Sequence, residues 1–189
     1  MTAGNDPWAS VRTRNDFPAD EVISALQKEI RRGNEENAAL LAYEMVMTSP
    51  ELETFLWRRL LVISVEDIGF GDPFAPVVMY NLRQICEVLG RGAGERLLMA
   101  IHAVRYLCTR TKDRSSDELL MWMKREVESS GLRPVIPDYA LDMHTRRGQE
   151  MGRDLRHFLE EGSQTHPELP DRDTTYLKRI VKLLGHSHE

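Results

Sequence analysis

Cysteine is scarce in this chain: two in 189 residues, Cys86 and Cys108, without CxxC spacing. Both fall inside apolar helical patterns, so they read as buried thiols in a reducing compartment, not as a metal clip or disulfide framework. Long apolar runs are missing as well. No stretch approaches the ~20 residues that cross a bilayer, and the N-terminal MTAGNDPWASVRTRND has no signal-peptide core. The expectation is a cytoplasmic protein with no membrane contact. A basic excess is also absent, since 25 Lys and Arg stand against 30 Asp and Glu for a net charge of −5. Proteins that bind nucleic acid unaided rely on surplus positive charge to neutralise phosphates, so contact with DNA is expected to be indirect or weak. There is no GxxxxGK[ST] loop and no acidic strand end to hold Mg²⁺, so ATP hydrolysis is not expected and no cofactor is implied.

What remains is an ordinary globular composition, 41% apolar and 29% charged, in a chain long enough to bury about 70% of its unfolded surface. Apolar residues recur at helical spacing and nowhere alternate convincingly, so the fold class is all-α, a multi-helix bundle. Residues 1–17 are polar and read as a flexible or strand-like arm. A first helix runs from about Pro18 to Arg32 on the stripe Val22, Ile23, Leu26 and Ile30, and Gly33 stops it. Asn34 is placed to cap a second helix burying Ala38, Leu41, Ala42 and Met45. Ser49-Pro50 opens a third, apolar over a wide arc and therefore central. Val78, Leu82, Ile85 and Leu89 mark a fourth, and Leu97 to Cys108 a fifth after the turn at Gly90–Gly94. A sixth starts with a capping box at Ser115–Glu118 and buries Leu119, Leu120, Met123 and Val127. These helices give a domain over 18–131. From residue 132 to 189 the pattern breaks into a loop, short helical pieces and a last amphipathic helix from Thr174 to Leu184. This region is expected as an extension packed on the bundle. His186 and His188 read as a frayed end.

Two segments carry more than core periodicity. RRLLVISVEDIGFGDP, from Arg58 to Pro73, places Glu66 and Asp67 at the end of an apolar helix. Added negative charge is unfavourable there, so the pair needs cationic partners. Arg58 and Arg59 are the nearest, and an arginine from another helix serves equally. Gly69 and Gly71 permit a sharp reversal and Asp72 caps the next helix. The segment is either a buried ion-pair corner that sets a helix crossing or a surface for a partner.

The second is the polar cluster after Pro137. Asp138 and Asp142 lie one turn apart, followed by His144, Arg146, Arg147, Arg153 and His157. Three readings are open. In one, Asp138 caps a short helix and Asp142 pairs with Arg146 at i,i+4. In another, Arg146, Arg147 and Arg153 with His144 and His157 clasp an anion or a partner. In the third, Asp138, Asp142 and His144 hold a metal, although their spacing matches no established motif.

Several pieces in register carry a family resemblance. They are Ile23-Ser24-Ala25, Lys28, Arg31 to Gly33, Ala38 to Leu41, Arg58-Arg59-Leu60, Glu66-Asp67-Ile68-Gly69, Asp72-Pro73, Tyr106-Leu107 and Lys112. Over roughly Ala19 to Val127 the chain resembles the C-terminal helical domain of the replication-associated recombination ATPases, AAA+ proteins related to clamp loaders. Beyond Gly131 the likeness weakens, and that part looks like a feature of stand-alone relatives. The resemblance implies a collar-like, tetramer-forming domain, here expected to be free-standing without its ATPase module. Its implied role is assembly or partner binding in DNA replication, repair or recombination. The implied partners are copies of itself and a separate AAA+ ATPase or repair protein. Two other functions stay open: a ligand-binding protein or enzyme built around Asp138–His157, and a direct DNA-binding module using Arg146, Arg147, Lys178, Arg179 and Lys182.

Overall fold

The computed structural model describes residues 7–90 and 94–185. The first six residues of the expected arm, part of the turn at Gly90–Gly94, and His186 and His188 lie outside them. The chain divides into two compact units, Met1–Gly131 and Leu132–Glu189. Among the described residues the regular elements are all helical, with one isolated antiparallel bridge between Arg12 and Pro18. The fold is all-α. No described helix is long and apolar enough to cross a membrane.

The first unit is built from α1 (Ala19–Arg32), α2 (Glu35–Thr48), α3 (Pro50–Ile63), α4 (Ala75–Val88), α5 (Gly94–Thr109) and α6 (Ser115–Ser130). α1 and α2 pack as a pair, with α5 laid against α2 and α4 against α5. α3 runs through the middle, where Leu52, Leu56, Leu60 and Ile63 are fully buried with Leu26, Ile30, Met45 and Leu107. Ser49 caps α3 as its sequence predicts, its hydroxyl accepting from Leu52 N at 3.2 Å, with Pro50 in the first turn. Asn34 makes no side-chain cap on α2. α4 buries Ala75, Met79 and Cys86, while Val78 and Leu82 of the expected stripe pack partly buried against the core and Ile85 is exposed. This helix is apolar on more than one side, so spacing alone does not select its inner face.

Residues 7–17 are not a loose arm. Trp8 packs on Phe55 with ring centroids 5.0 Å apart. Thr13 is buried, and Asn15 donates through its backbone and side chain to the Glu44 carboxylate at 2.9 and 2.6 Å. The largely covered carboxylate anchors the turn by supplying acceptors that its backbone would otherwise lack. Burial acts to raise the pKa of Glu44, but hydrogen bonds from Thr13 and Asn15 outweigh it and hold the group below its ordinary 4.5. A depressed carboxylate contributes stability that is complete above its unfolded pKa and is lost as pH falls through the folded one. Trp8 fluorescence is therefore expected to stay native-like at pH 6 and to change as pH drops below 4.5, before the core unfolds. A Glu44→Gln variant should lose that early step.

α6 departs furthest from expectation. It buries none of its residues. Leu119, Leu120, Met121, Trp122, Met123 and Val127 are each between 43% and 60% exposed. The helical spacing was legible, but among the described residues of the first unit nothing buries the stripe. Its start is also built differently: Asp113, not the serines, provides the cap, accepting from Ser115 N at 3.1 Å and Ser115 Oγ at 3.0 Å.

The second unit contains a 3-10 turn at Asp138–Ala140, α7 (Arg146–Glu150), α8 (Leu155–His157), a π-turn at Phe158–Gly162 and α9 (Thr175–Gly185). Of its described residues only Gly148 is buried.

Candidate functional site

At the end of α3 the helix widens into one π-turn, Ser64–Ile68. Arg59 reaches Glu66 only through the Gln27 amide between them. Both carboxylates meet arginines from distant helices instead. Asp67 is fully buried, accepts from Arg31 Nε of α1 in a short contact, and takes Arg114 Nη1 at 3.2 Å. Glu66 Oε1 lies 3.3 Å from Arg31 Nη2. Gln27 donates from one amide nitrogen to Glu66 at 2.7 Å and to Asp67 at 2.9 Å, and its oxygen accepts from Arg59. Arg114 also closes on Asp117 in the first turn of α6. Three arginines and three carboxylates thus balance, and the corner ties α1, α3 and α6 together. Arg58 is exposed and takes no part.

The glycines admit the strand of chain that leads into α6. Gly69 has φ +50°, and a Cβ there would lie 2.5 Å from the Asp113 carbonyl oxygen. At Gly71 φ is ordinary, and the constraint is close approach: a Cβ would run into the Thr111 carbonyl. Asp113 completes the joint, its backbone N donating to Asp67 O at 3.0 Å and its carboxylate accepting from Phe70 N at 3.2 Å. Asp72 makes no side-chain cap on α4, whose N-cap is Phe74; it accepts from Phe74 N at 3.0 Å in the turn before the helix and from the Tyr106 hydroxyl at 2.6 Å. That hydroxyl holds the Asp72 carboxyl below its usual range, while the same bond raises the tyrosine. Since a backbone carbonyl cannot yield as a flexible side chain does, Gly71→Ala should cost roughly 1–3 kcal/mol. Chemical denaturation would show this as a lower midpoint at unchanged slope.

Beside the corner, α6 and the end of α3 leave a groove of about 520 Å³ lined by Leu61, Val62, Val65, Glu66, Ser116, Asp117 and Leu120. Val62 and Val65 are exposed, like the α6 stripe next to them. The exposed apolar surface is thus continuous from α3 onto α6 and is rimmed by the ionic corner.

The polar cluster of the second unit does not converge. Arg153 binds the Leu141 carbonyl at 2.8 Å and the Asp138 carboxylate at 2.5 Å. Asp138 therefore pairs with Arg153 and makes no side-chain cap. The expected Asp142–Arg146 pair does not form, because Thr145 is extended and α7 begins only at Arg146, so helical spacing does not span the two. Arg146 turns forward to Glu150 at 2.8 Å and is almost wholly exposed, and Arg147 is exposed too. Asp142 accepts from His144 N at 2.9 Å and lies 3.2 Å from His144 Nδ1, contacts that hold its carboxyl below its usual range. The His144 ring stands edge-on to Phe158, centroids 5.0 Å apart. His157 is half-buried in α8. Among the described residues no three His, Cys, Asp or Glu side chains gather as a metal site would require. On α9, Arg179 lies over the Tyr176 ring.

Sequence reasoning missed three residues of consequence. Arg31 and Arg114 supply the cations to the EDIG corner from positions 35 and 47 residues away from their partners Glu66 and Asp67. Arg96, buried in α5, binds Glu53 at 2.6 Å, and its guanidinium also closes the end of α4 through the Cys86 and Leu89 carbonyls. An arginine in the first turn of an apolar helix was the available signal.

Residues 33–174 match the family described as MgsA AAA+ ATPase C terminal. The chain belongs to that family. The family's span includes the second unit up to Thr174, so the likeness does not stop at Val127 as the motifs suggested. Among relatives of this AAA+ C-terminal family, the chain is 33% identical over 159 residues to replication-associated recombination protein A of Bacillus subtilis (strain 168), covering 80% of this chain and 36% of that protein. The proteins of the same name from Haemophilus influenzae and Escherichia coli (strain K12) are 30% and 31% identical over 126 and 137 residues. Those matches cover 67% and 70% of this chain but 26% and 29% of the relatives. The chain therefore spans about a third of the length of the curated relatives it matches.

Proposed function

We infer that this chain is a non-catalytic assembly domain serving DNA replication, repair or recombination, acting by association with its own copies and with an AAA+ ATPase or repair protein. The context comes from relatives named replication-associated recombination protein A. The observation that supports assembly is α6, a helix with no buried residue and six exposed apolar side chains. Apolar patches of that kind on a soluble domain mark interaction surfaces. The polar cluster after Pro137 gives the enzyme reading no comparable support, since His144, Arg146 and Arg153 are tied to Asp142, Glu150 and Asp138 in separate pairs. The acidic balance of the chain likewise leaves direct DNA binding without support.

Light scattering across a wide concentration range tests the reading. The expected mass is a multiple of the 21.8 kDa chain, with four copies as the family resemblance implies. A single-chain mass at every concentration would remove self-assembly from the account.

A further inference from the structure

We propose that residues 133–137, RPVIP, are a recognition segment for another protein, one whose binding groove is walled by aromatic side chains with a carboxylate at its edge. This goes beyond the assembly reading and stands whether or not the chain self-associates. The sequence sets two X–Pro steps, Arg133-Pro134 and Ile136-Pro137, three residues apart. A proline fixes its own φ near −65° and drives the residue before it out of the helical region. Arg133, Pro134, Ile136 and Pro137 are thereby held extended by covalent geometry alone. Residues 132–137 accordingly contain no helix, bridge or turn, and Pro137 has φ −71° and ψ 154°, which are polyproline II values.

The fold makes no use of the segment's polar groups. Among the described residues, Leu132, Arg133, Pro134, Val135 and Ile136 make no hydrogen bond and no ion pair, by backbone or side chain. Ile136 is 72% exposed, and Arg133 and Pro134 are exposed beside it. A segment already held in its bound shape gives up little conformational entropy when a partner takes it.

Polyproline II has three residues per turn and rises about 9 Å in each, so the segment is a three-edged rod. Arg133 and Ile136 line one edge, Pro134 and Pro137 the next, and Val135 the third. The first two edges together form a pair of X–Pro ridges, the shape that fills aromatic-lined grooves for Pro-rich peptides. Joining a sheet edge suits the segment less, because its two prolines lack the N–H groups that a ladder needs. Arg133 stands at one end of the ridges with no carboxylate of its own chain, so an acidic group beside the groove sets the direction of docking.

A recombinant SH3 domain, whose aromatic groove is flanked by carboxylates, serves as the probe. Its amide resonances are followed while the unlabelled full-length protein is titrated in. Wild type should shift the groove resonances saturably. Ile136→Ser should weaken binding about tenfold, as should Pro134→Ala combined with Pro137→Ala, while Val135→Ser on the third edge should change it by less than about twofold. Arg133→Gln should weaken it and remove most of its salt dependence. Circular dichroism checks each fold; if the double proline variant is altered, Ile136→Ser against Val135→Ser decides, since both positions are exposed. No shift of the groove by wild type, shifts confined to residues outside it, or equal losses from Ile136→Ser and Val135→Ser would each overturn the proposal. Light scattering on the same samples reports assembly separately, so failure here leaves the assembly reading as it stands.

Discussion

Asp67→Ala is expected to lower the stability of this protein by about 3–5 kcal/mol, the loss usual when one partner of a buried ion pair is removed. Asp67 is fully buried and accepts from Arg31, Arg114 and Gln27. Without it, Arg31, Arg114 and Gln27 each lose one acceptor, keeping only Glu66 or Asp117, and the buried space of the carboxylate is left unfilled. Glu66 alone cannot replace it, because it sits 3.3 Å from Arg31 and 3.9 Å from Arg114. Asp67→Asn keeps the shape and removes the charge, so it should lie between wild type and alanine. Urea denaturation of the three proteins gives the order directly. If Asp67→Ala melted like a surface substitution, within about half a kcal/mol, the corner would not be what joins α1, α3 and α6.

The second large effect is expected at Arg96. Arg96→Ala should cost about 3–5 kcal/mol, because the Glu53 carboxylate is left without its cation in a site where both side chains are nearly covered. The guanidinium also donates to the Cys86 and Leu89 carbonyls at the end of α4, where a helix leaves its last acceptors unpaired. Arg96→Lys restores a charge but not a planar fork able to bind three acceptors at once, so it should recover only part of the loss. Arg96→Ala combined with Glu53→Ala should be less damaging than the two single losses added together. Additive losses in that double-mutant cycle would show that the pair is not coupled.

Much of the first unit was readable because its signals are local. Ser49-Pro50 starts α3, and Leu52, Leu56, Leu60 and Ile63 recur on its buried face. The EDIG segment announced itself through carboxylates placed where a helix end disfavours them. What the sequence withheld were long-range facts. Glu66 and Asp67 demanded cations, yet only folding shows that these are Arg31 and Arg114, brought from 35 and 47 residues away, while Arg59 reaches the pair only through Gln27. The stripe on α6 read as core for the same reason: periodicity says that a face is apolar, not that the chain has anything to lay against it. In the polar cluster, the i,i+4 rule joined Asp142 to Arg146 only on the assumption of a continuous helix. The extended Thr145 breaks that continuity, so His144 and Glu150 take the two side chains instead.

The apolar side chains of α6 are exposed, and the proposed assembly runs through them. Sedimentation velocity of the wild-type chain beside Leu120→Glu/Met123→Glu tests this most directly, since both substitutions fall on exposed positions and spare the core. Wild type is expected to sediment as a multiple of 21.8 kDa. The double variant should sediment as single chains with an unchanged circular dichroism spectrum. Wild type and variant sedimenting alike, whether as single chains or as the same assembly, would contradict assembly through α6.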